Sequence, residues 1–242
     1  MGDMKMTARQ GLAQPEVDDS VGAGSLARRA VRRPIDQQLT AAIRERYDRG
    51  ARLFDVMEAG VEALRFARWR KMQWAKVAGP LVLEVGVGTG KNLPYYPPSA
   101  RMTAVDFSAR MLAKARRRAA KLGSQVRLIE MDVQSMDFAD SSFDAVVSSF
   151  VFCSVPDPVL GLREVERVCK PGGRVIMLEH VLSANAILGW LMKTVSPIMV
   201  KMSGANMDRR TVENVAASGL VVERVTDLAG DIVKLIEARK KL

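Results

Sequence analysis

At 242 residues the chain has room for one large domain or two small ones, each able to bury a core. A net charge of +10 and a pI near 9.9 point to anionic partners: nucleic acid, an anionic membrane surface or acidic substrates. Two cysteines and one histidine exclude a disulfide framework and a multi-histidine metal site, and no apolar run reaches the roughly 18 residues that cross a bilayer.

Residues 1–35 mix Gly, Ala, Gln and acids with an RRAVRRP patch, show little periodicity and read as a disordered arm. No apolar leader core follows the early charges, so the expected location is cytoplasmic. From Asp36 to about residue 78, apolar residues from Ile43 to Trp74 recur at helical spacing with arginines between them, which predicts a helical cap. Gly79-Pro80 ends it. LVLEV (81–85) is a short apolar run suited to a strand buried on both faces, and Gly86, Gly88 and Gly90 then strip Cβ atoms from the turn that follows. MTAVD (102–106) reads as a strand. SARMLAKARRRAAKLG (108–123) reads as a helix capped by Ser108 and stopped by Gly123. Strands are predicted over 125–132, 142–152 and 173–181, with a helix over 160–170 closed by Pro171-Gly172-Gly173. Residues 211–220 predict a helix, and 221–239 a terminal hairpin that would add an antiparallel edge. Strands alternating with helices imply an α/β fold with a mostly parallel sheet covered on both faces.

In such a sheet, ligands bind beyond the carboxyl ends of the strands, where strand order reverses. The first strand ends in the glycine turn and the second in Asp106, an acid able to accept hydrogen bonds from a ribose diol. A dehydrogenase would fit that much. However, the glycines run G-x-G-x-G, and Glu84 stands where a pyrophosphate would be repelled. Asp132, ending the third strand, suits an adenine amino group. Carboxylates in these places favour a positively charged sulfonium cofactor over a dinucleotide.

The strings EVGVGTG, AVDFS, EMDVQSMDFADSSFDAVVSSF, REVERVCKPGG and LEHV resemble the motifs of class I S-adenosylmethionine-dependent methyltransferases. The resemblance is strongest to the group holding ubiquinone/menaquinone C-methyltransferases and bacterial phospholipid N-methyltransferases, and covers about residues 44–239. It implies a Rossmann-like fold with a mostly parallel seven-stranded sheet over residues 36–242. Matched position by position, Glu84, Gly86, Gly88 and Gly90 would surround the methionine moiety, and Asp106 would hold the ribose. Phe107 and Met111 would flank the adenine, and Asp132 with Val133 would meet it. Ser149 and Phe150 would face the reactive methyl group. RYDRGARLFD resembles the family's paired Tyr-Asp segment, with Tyr47 approaching the cofactor and Phe54 standing where the family has a second tyrosine.

His180 admits two readings: a base that takes the proton released from a methylated nucleophile, or a histidine held structurally beneath the site; Tyr47 is the second candidate to hold or relay that proton. Cys153 reads as a small packed residue. Residues 181–207 carry no acid and a dense apolar series that includes Trp190, Met192, Ile198, Met199 and Met202. An apolar lid or a membrane-contact insertion over 182–208 both fit it. Residues 107–129 hold seven basic residues and no acid, to which Arg65–Lys76 and the N-terminal arm add charge. Anionic lipid accounts for both stretches, whereas nucleic acid leaves the apolar series unexplained. The expected activity is therefore N-methylation of phosphatidylethanolamine by a peripheral protein on the inner membrane face. The alternatives are C-methylation of a quinone precursor, S-methylation of a hydrophobic thiol, or a membrane-bound cofactor-sensing module without turnover.

Overall fold

The computed structural model describes residues 35–61 and 65–242, with side chains described outside 51–64 and 201–203. Of the arm expected over 1–35, residues 1–34 lie outside the described residues, as does the side chain of Phe54.

The strand β1 (Leu81–Val85) pairs in parallel with β2 (Arg101–Asp106) on one side and β4 (Phe143–Ser149) on the other. Four of its five side chains, from Val82 to Val85, are buried, because packing covers both faces of the strand. Leu83 and Val85 join Val105, Val146, Met177 and Ile236 in a core closed by Leu162 and Val165 of α4 (Pro158–Val168) and Val215 of α6 (Thr211–Ala217). Val82 points the other way, packing with Met102, Ala145 and Val147 against Trp74 of α2 (Ala67–Trp74). Farther along that face, Ala104 meets Leu112 and Ala115 of α3 (Ala109–Leu122). The period of two in the strands thus feeds two helical layers.

With β3 (Arg127–Glu130), β5 (Cys169–His180), β6 (Val221–Ala229) and β7 (Val233–Arg239), the described residues form a seven-stranded sheet ordered β3-β2-β1-β4-β5-β7-β6. Only β7 runs against the other strands, pairing antiparallel with both β5 and β6. Strand order reverses between β1 and β4, so the ligand crevice belongs at their carboxyl ends.

The predicted caps operate on α3: Ser108 Oγ accepts from Met111 N, and Gly123 closes the helix at φ +63°. Several boundaries shift: β3 ends at Glu130, leaving Asp132 in the turn after the strand, and β4 stops at Ser149 instead of 152. Helix α4 begins at Pro158, with Asp157 accepting from Leu160 N, because proline suits the first turn. It ends at Val168, and β5 starts at Cys169, earlier than the predicted 173. Lys240 N donates to Gly173 O and Gly172 N to Lys240 O, which draws the Pro-Gly-Gly segment into the sheet as an irregularity between Phe143 and Ala145 of β4.

Residues 186–203 form one helix, α5, capped by Asn185 and containing Pro197. No helix among the described residues is long and apolar enough to cross a membrane. The N-terminal cap is a 25-residue helix, α1 (Gln37–Val61), followed by α2. Of the cations expected on its surface, Arg70 is buried: Trp69, Arg70, Gln73 and Trp74 form the inward stripe of α2.

Candidate active site

At the crevice, Gly86, Gly88 and Gly90 adopt φ values of +68°, +55° and +82°, which L-residues with side chains rarely take. Three different environments require the three glycines. A Cβ on Gly86 would lie 2.3 Å from Val151 Cγ2, and one on Gly90 would lie 3.2 Å from the Ala115 backbone. A Cβ on Gly88 would meet nothing within 4 Å. Only there does the missing side chain leave open space beside the backbone.

Asp106 sits across this turn, 6% exposed. Its Oδ2 accepts from Gly88 N at 2.8 Å and its Oδ1 from Ser108 N at 2.9 Å. Each oxygen keeps a further lone pair. Burial raises its pKa from 3.8 to about 6 despite those two hydrogen bonds. A slit beside it is lined by Asp106, Phe107, Asp132, Val133, Gly86 and Phe150, among others, with Thr40 and Tyr47 contributed by α1. Asp132 is oriented by Gln134, whose backbone N donates to Oδ1 at 2.9 Å and whose side-chain amide reaches both carboxylate oxygens and Thr40.

The paired Tyr47-Asp48 fastens α1 over this slit from two sides. The Tyr47 hydroxyl bonds Ser154 Oγ, and its ring meets Phe107 edge-on at 5.7 Å. Asp48 Oδ1 accepts from Ser108 Oγ at 2.5 Å, so one serine caps α3 and anchors α1.

Glu84 lies outside the slit lining, fully buried at the end of β1. Burial pushes its carboxyl up to about 7, although it accepts from Tyr96 Oη and, at 2.5 Å, from Asn92 Nδ2. Asn92 continues the network: its Oδ1 accepts from Arg70 Nη1 at 2.8 Å and its Nδ2 donates to Ser149 Oγ at 3.0 Å. Ser149 donates to Gln73 Oε1 at 2.7 Å, and Gln73 Nε2 reaches the carbonyls of Ser148 and Ile176. Carboxylate, guanidinium and amide thus converge at the ends of β1 and β4. That set matches an amino-acid tail, in which one ammonium and one carboxylate need partners. Met111 is apart from both groups: it is 1% exposed on α3 and absent from the slit lining.

After β4 the chain turns at Phe150, whose φ of +58° is strained for a bulky residue. Glu179 holds that turn. Its carboxylate accepts from Val151 N, Phe152 N and Ser148 Oγ at 3.0–3.3 Å while burial raises its pKa to about 8. His180 is not in the slit lining. Its ring packs on Phe150, centroids 4.8 Å apart, and burial lowers its pKa despite a hydrogen bond to the Ile232 backbone. Burial thus favours the neutral imidazole, with the Phe150 ring against it. Cys153 is buried, its thiol pushed up to about 12 by burial.

Sequence reading missed Arg70, Gln73, Asn92, Tyr96, Gln134, Ser154 and Glu179. The one local signal was the spacing of Arg70 and Gln73 beside Trp69 and Trp74, which places all four on one face of α2.

A family model described as a methyltransferase domain matches residues 83–177. A phosphatidylethanolamine N-methyltransferase of Cereibacter sphaeroides is 41% identical over 115 residues, covering 47% of this chain and 57% of that protein. Against the first such relatives, the chain thus spans a little over half of their length. A demethylmenaquinone methyltransferase of Thermobifida fusca (strain YX) is 33% identical over 171 residues, covering 67% of this chain and 72% of that one. Among solved structures, an S-adenosylmethionine-dependent methyltransferase from Thermotoga maritima, titled a possible histamine N-methyltransferase, superposes with a TM-score of 0.63 at 20% identity. It covers 81% of this chain and 99% of that one, and supports the fold alone. A relative matched over most of its length, on a sheet whose crevice is lined by acids suited to a cationic cofactor, leaves a single assignment: the chain belongs to the class I S-adenosylmethionine-dependent methyltransferases.

Proposed function

We propose that this methyltransferase N-methylates phosphatidylethanolamine and its partly methylated forms at a membrane surface. One observation carries the reading. Helix α5 buries Gly189, Met192 and Ser196 along a narrow stripe and turns large apolar residues outward: Ile187 is 80% exposed, Trp190 67%, Ile198 58% and Leu191 50%. An apolar face of that extent on a soluble surface marks a contact with an apolar phase. The end of α5 adjoins the roof of the cofactor slit, for a Cβ on Gly204 would stand 3.2 Å from Ile43 and 3.5 Å from Tyr47 of α1. A lipid acceptor fits that arrangement, and a relative named phosphatidylethanolamine N-methyltransferase supports the amine. Exposed cations of α3, among them Arg110, Arg116, Arg117 and Lys121, would add attraction to anionic lipid.

S-adenosylmethionine, when bound, supplies an electrophilic methyl group. The geometry fits its parts. The open side of Gly88 and the free lone pairs of Asp106 suit a ribose, with Asp132, Val133 and Phe107 for the adenine. Glu84, Arg70 and Asn92 suit the amino-acid tail. Toward the acceptor, the chain's task is to hold the amine neutral, because an ammonium has no lone pair and its pKa is about 10. Burial between Phe150, Val151 and the α1 roof disfavours the charged form. Tyr47 is the slit-lining residue proposed to relay the released proton: its oxygen accepts that proton as its own hydroxyl proton passes to Ser154 Oγ, which passes its own on toward solvent. His180 is proposed as a positioning residue that sets the Phe150 ring, or as a base if that ring rotates aside.

Relatives named for demethylmenaquinone keep the quinone-ring reading in play. Incubation with labelled methyl donor and vesicles containing phosphatidylethanolamine, a demethylated quinone or a hydrophobic thiol separates the readings. Label in the phospholipid fraction supports the proposal. Label only in quinone or thiol overturns the substrate while the family stands.

A further inference from the structure

Away from the cofactor slit, a second cleft of about 780 Å3 opens beside the first turns of α5, the start of α6 and the strands β6 and β7. Its base is pinned by Asp231, in the turn between β6 and β7, which accepts from Ser183 Oγ at 2.8 Å and Ala184 N at 2.6 Å. Asn185 then starts α5 by accepting from Ile187 N and Leu188 N. Gly189 packs so closely that a Cβ would lie 2.8 Å from the Ser183 carbonyl oxygen. The cleft is therefore a built part of the fold.

Its lining has two chemistries. Trp190, Val212 and Val225 are apolar, and Lys193, Arg210 and Lys234 are cationic, against a single acid, Glu213. Lys234 is engaged by Asp227. The side chains of Lys193 and Arg210 make no hydrogen bond or ion pair among the described residues. Trp190 belongs both to the cleft and to the outward apolar face of α5 that carries Ile187 and Leu191.

We propose that this cleft seats one anionic phospholipid of the membrane, its phosphate on Lys193 and Arg210 and the start of an acyl chain along Trp190, Val212 and Val225. Charge complementarity selects that occupant. A neutral apolar segment would bury the two cations without partners, which costs free energy, and a small anion would leave the apolar wall unused. Continuity with the α5 face gives the lipid a route in from a bilayer. The site extends the acceptor proposal without resting on it, because this lipid is not methylated and binds away from the cofactor slit.

Trp190 provides a local readout, since Trp69 and Trp74 are 8% and 3% exposed. The 242-residue chain is mixed with phosphatidylcholine vesicles containing about one third phosphatidylglycerol, with bromine on the phosphatidylglycerol acyl chains. Tryptophan fluorescence should be quenched, and Trp190→Phe should abolish the quenching while the protein still sediments with the vesicles. The double variant Lys193→Glu, Arg210→Glu should weaken partitioning to these vesicles about 30-fold or more, with calorimetric affinity for S-adenosylmethionine unchanged. Vesicle binding without Trp190 quenching, equal quenching by brominated neutral vesicles, or unchanged partitioning of the double variant would each overturn the site. Because no methyl transfer is measured, none of these results bears on the amine as acceptor.

Discussion

Asp106→Ala is the change that best separates binding from folding. In the folded protein this carboxylate is held by two backbone N–H groups, yet burial still lifts its pKa from 3.8 to about 6. At about 1.36 kcal/mol per pH unit, keeping it ionised at neutral pH costs the free protein on the order of 3 kcal/mol. Alanine removes that cost, which is already net of the two hydrogen bonds, but leaves Gly88 N and Ser108 N without their acceptor, at about 1–3 kcal/mol each. The opposing contributions nearly cancel, so the melting midpoint should move by only a few degrees. Cofactor affinity has no such offset. Losing the acceptor for a ribose diol should weaken binding by about 1.5–3 kcal/mol, or roughly 10- to 150-fold. In the parent protein, affinity should also fall as pH drops through about 6, where Asp106 takes a proton, and Asp106→Asn should lack that component. Calorimetry across this pH range, paired with thermal melts, checks both halves. Unchanged affinity in Asp106→Ala, or a large loss of stability equal to the loss of affinity, would refute the reasoning.

Gly86→Ala should cost about 2–5 kcal/mol, combining the left-handed backbone with overpacking onto Val151. Gly88→Ala should cost only about 1–2 kcal/mol in a denaturant titration, since its Cβ meets open space, but should still impair cofactor binding. If Tyr47 handles the acceptor proton, Tyr47→Phe should lower turnover by about 100-fold with cofactor affinity kept, whereas His180→Ala should act more weakly and shift with the bulk of the replacement. Near-parental turnover in both would assign catalysis to positioning and desolvation alone. Glu84 and Glu179, raised to about 7 and 8, favour the folded state when protonated, so the stability they confer is full below their unfolded values and disappears as pH rises through 7 and 8. The free protein should therefore melt lower at pH 8.5 than at pH 7, and a flat profile across that window would count against both assignments. His180, whose pKa is lowered, acts only below about 6.5 and leaves this window clear.

What the sequence made legible was local in origin. The short apolar runs LVLEV and MTAVD, the glycine run and the Ser108 and Gly123 caps each depend on a few adjacent residues, and the sheet follows from their repetition. The glycine positions and Asp106 come together in space because both end neighbouring parallel strands. Sequence spacing could not disclose the Arg70–Asn92–Glu84–Tyr96 network, whose members lie on α2, β1 and the loop after the glycines. Nor could it show Glu179 under the Phe150 turn, since the two meet only through the β4–β5 register. The apolar series after Val181 suited a lid and an interface equally. Only the narrowness of the buried stripe on α5 shows that most of its large side chains point outward.

Three acids at strand ends, Glu84, Asp106 and Glu179, are buried, and burial is the largest cause of the raised pKa of each. A fold under selection for stability alone would replace such groups with apolar ones, because buried carboxylates oppose folding as they ionise. Two of them, Glu84 and Asp106, flank the glycine turn, and the ligand of this family is a cation. For these two the opposition is conditional: a bound positive charge or a hydroxyl donor lowers the carboxyl pKa and reverses the pH dependence of the site. Glu179 has no such release. It faces backbone N–H groups beneath a strained turn, and its influence runs through the placement of Phe150 and Val151 at the slit wall. Removing Glu179 should therefore disturb the slit and the fold together, while removing Asp106 should disturb the slit alone.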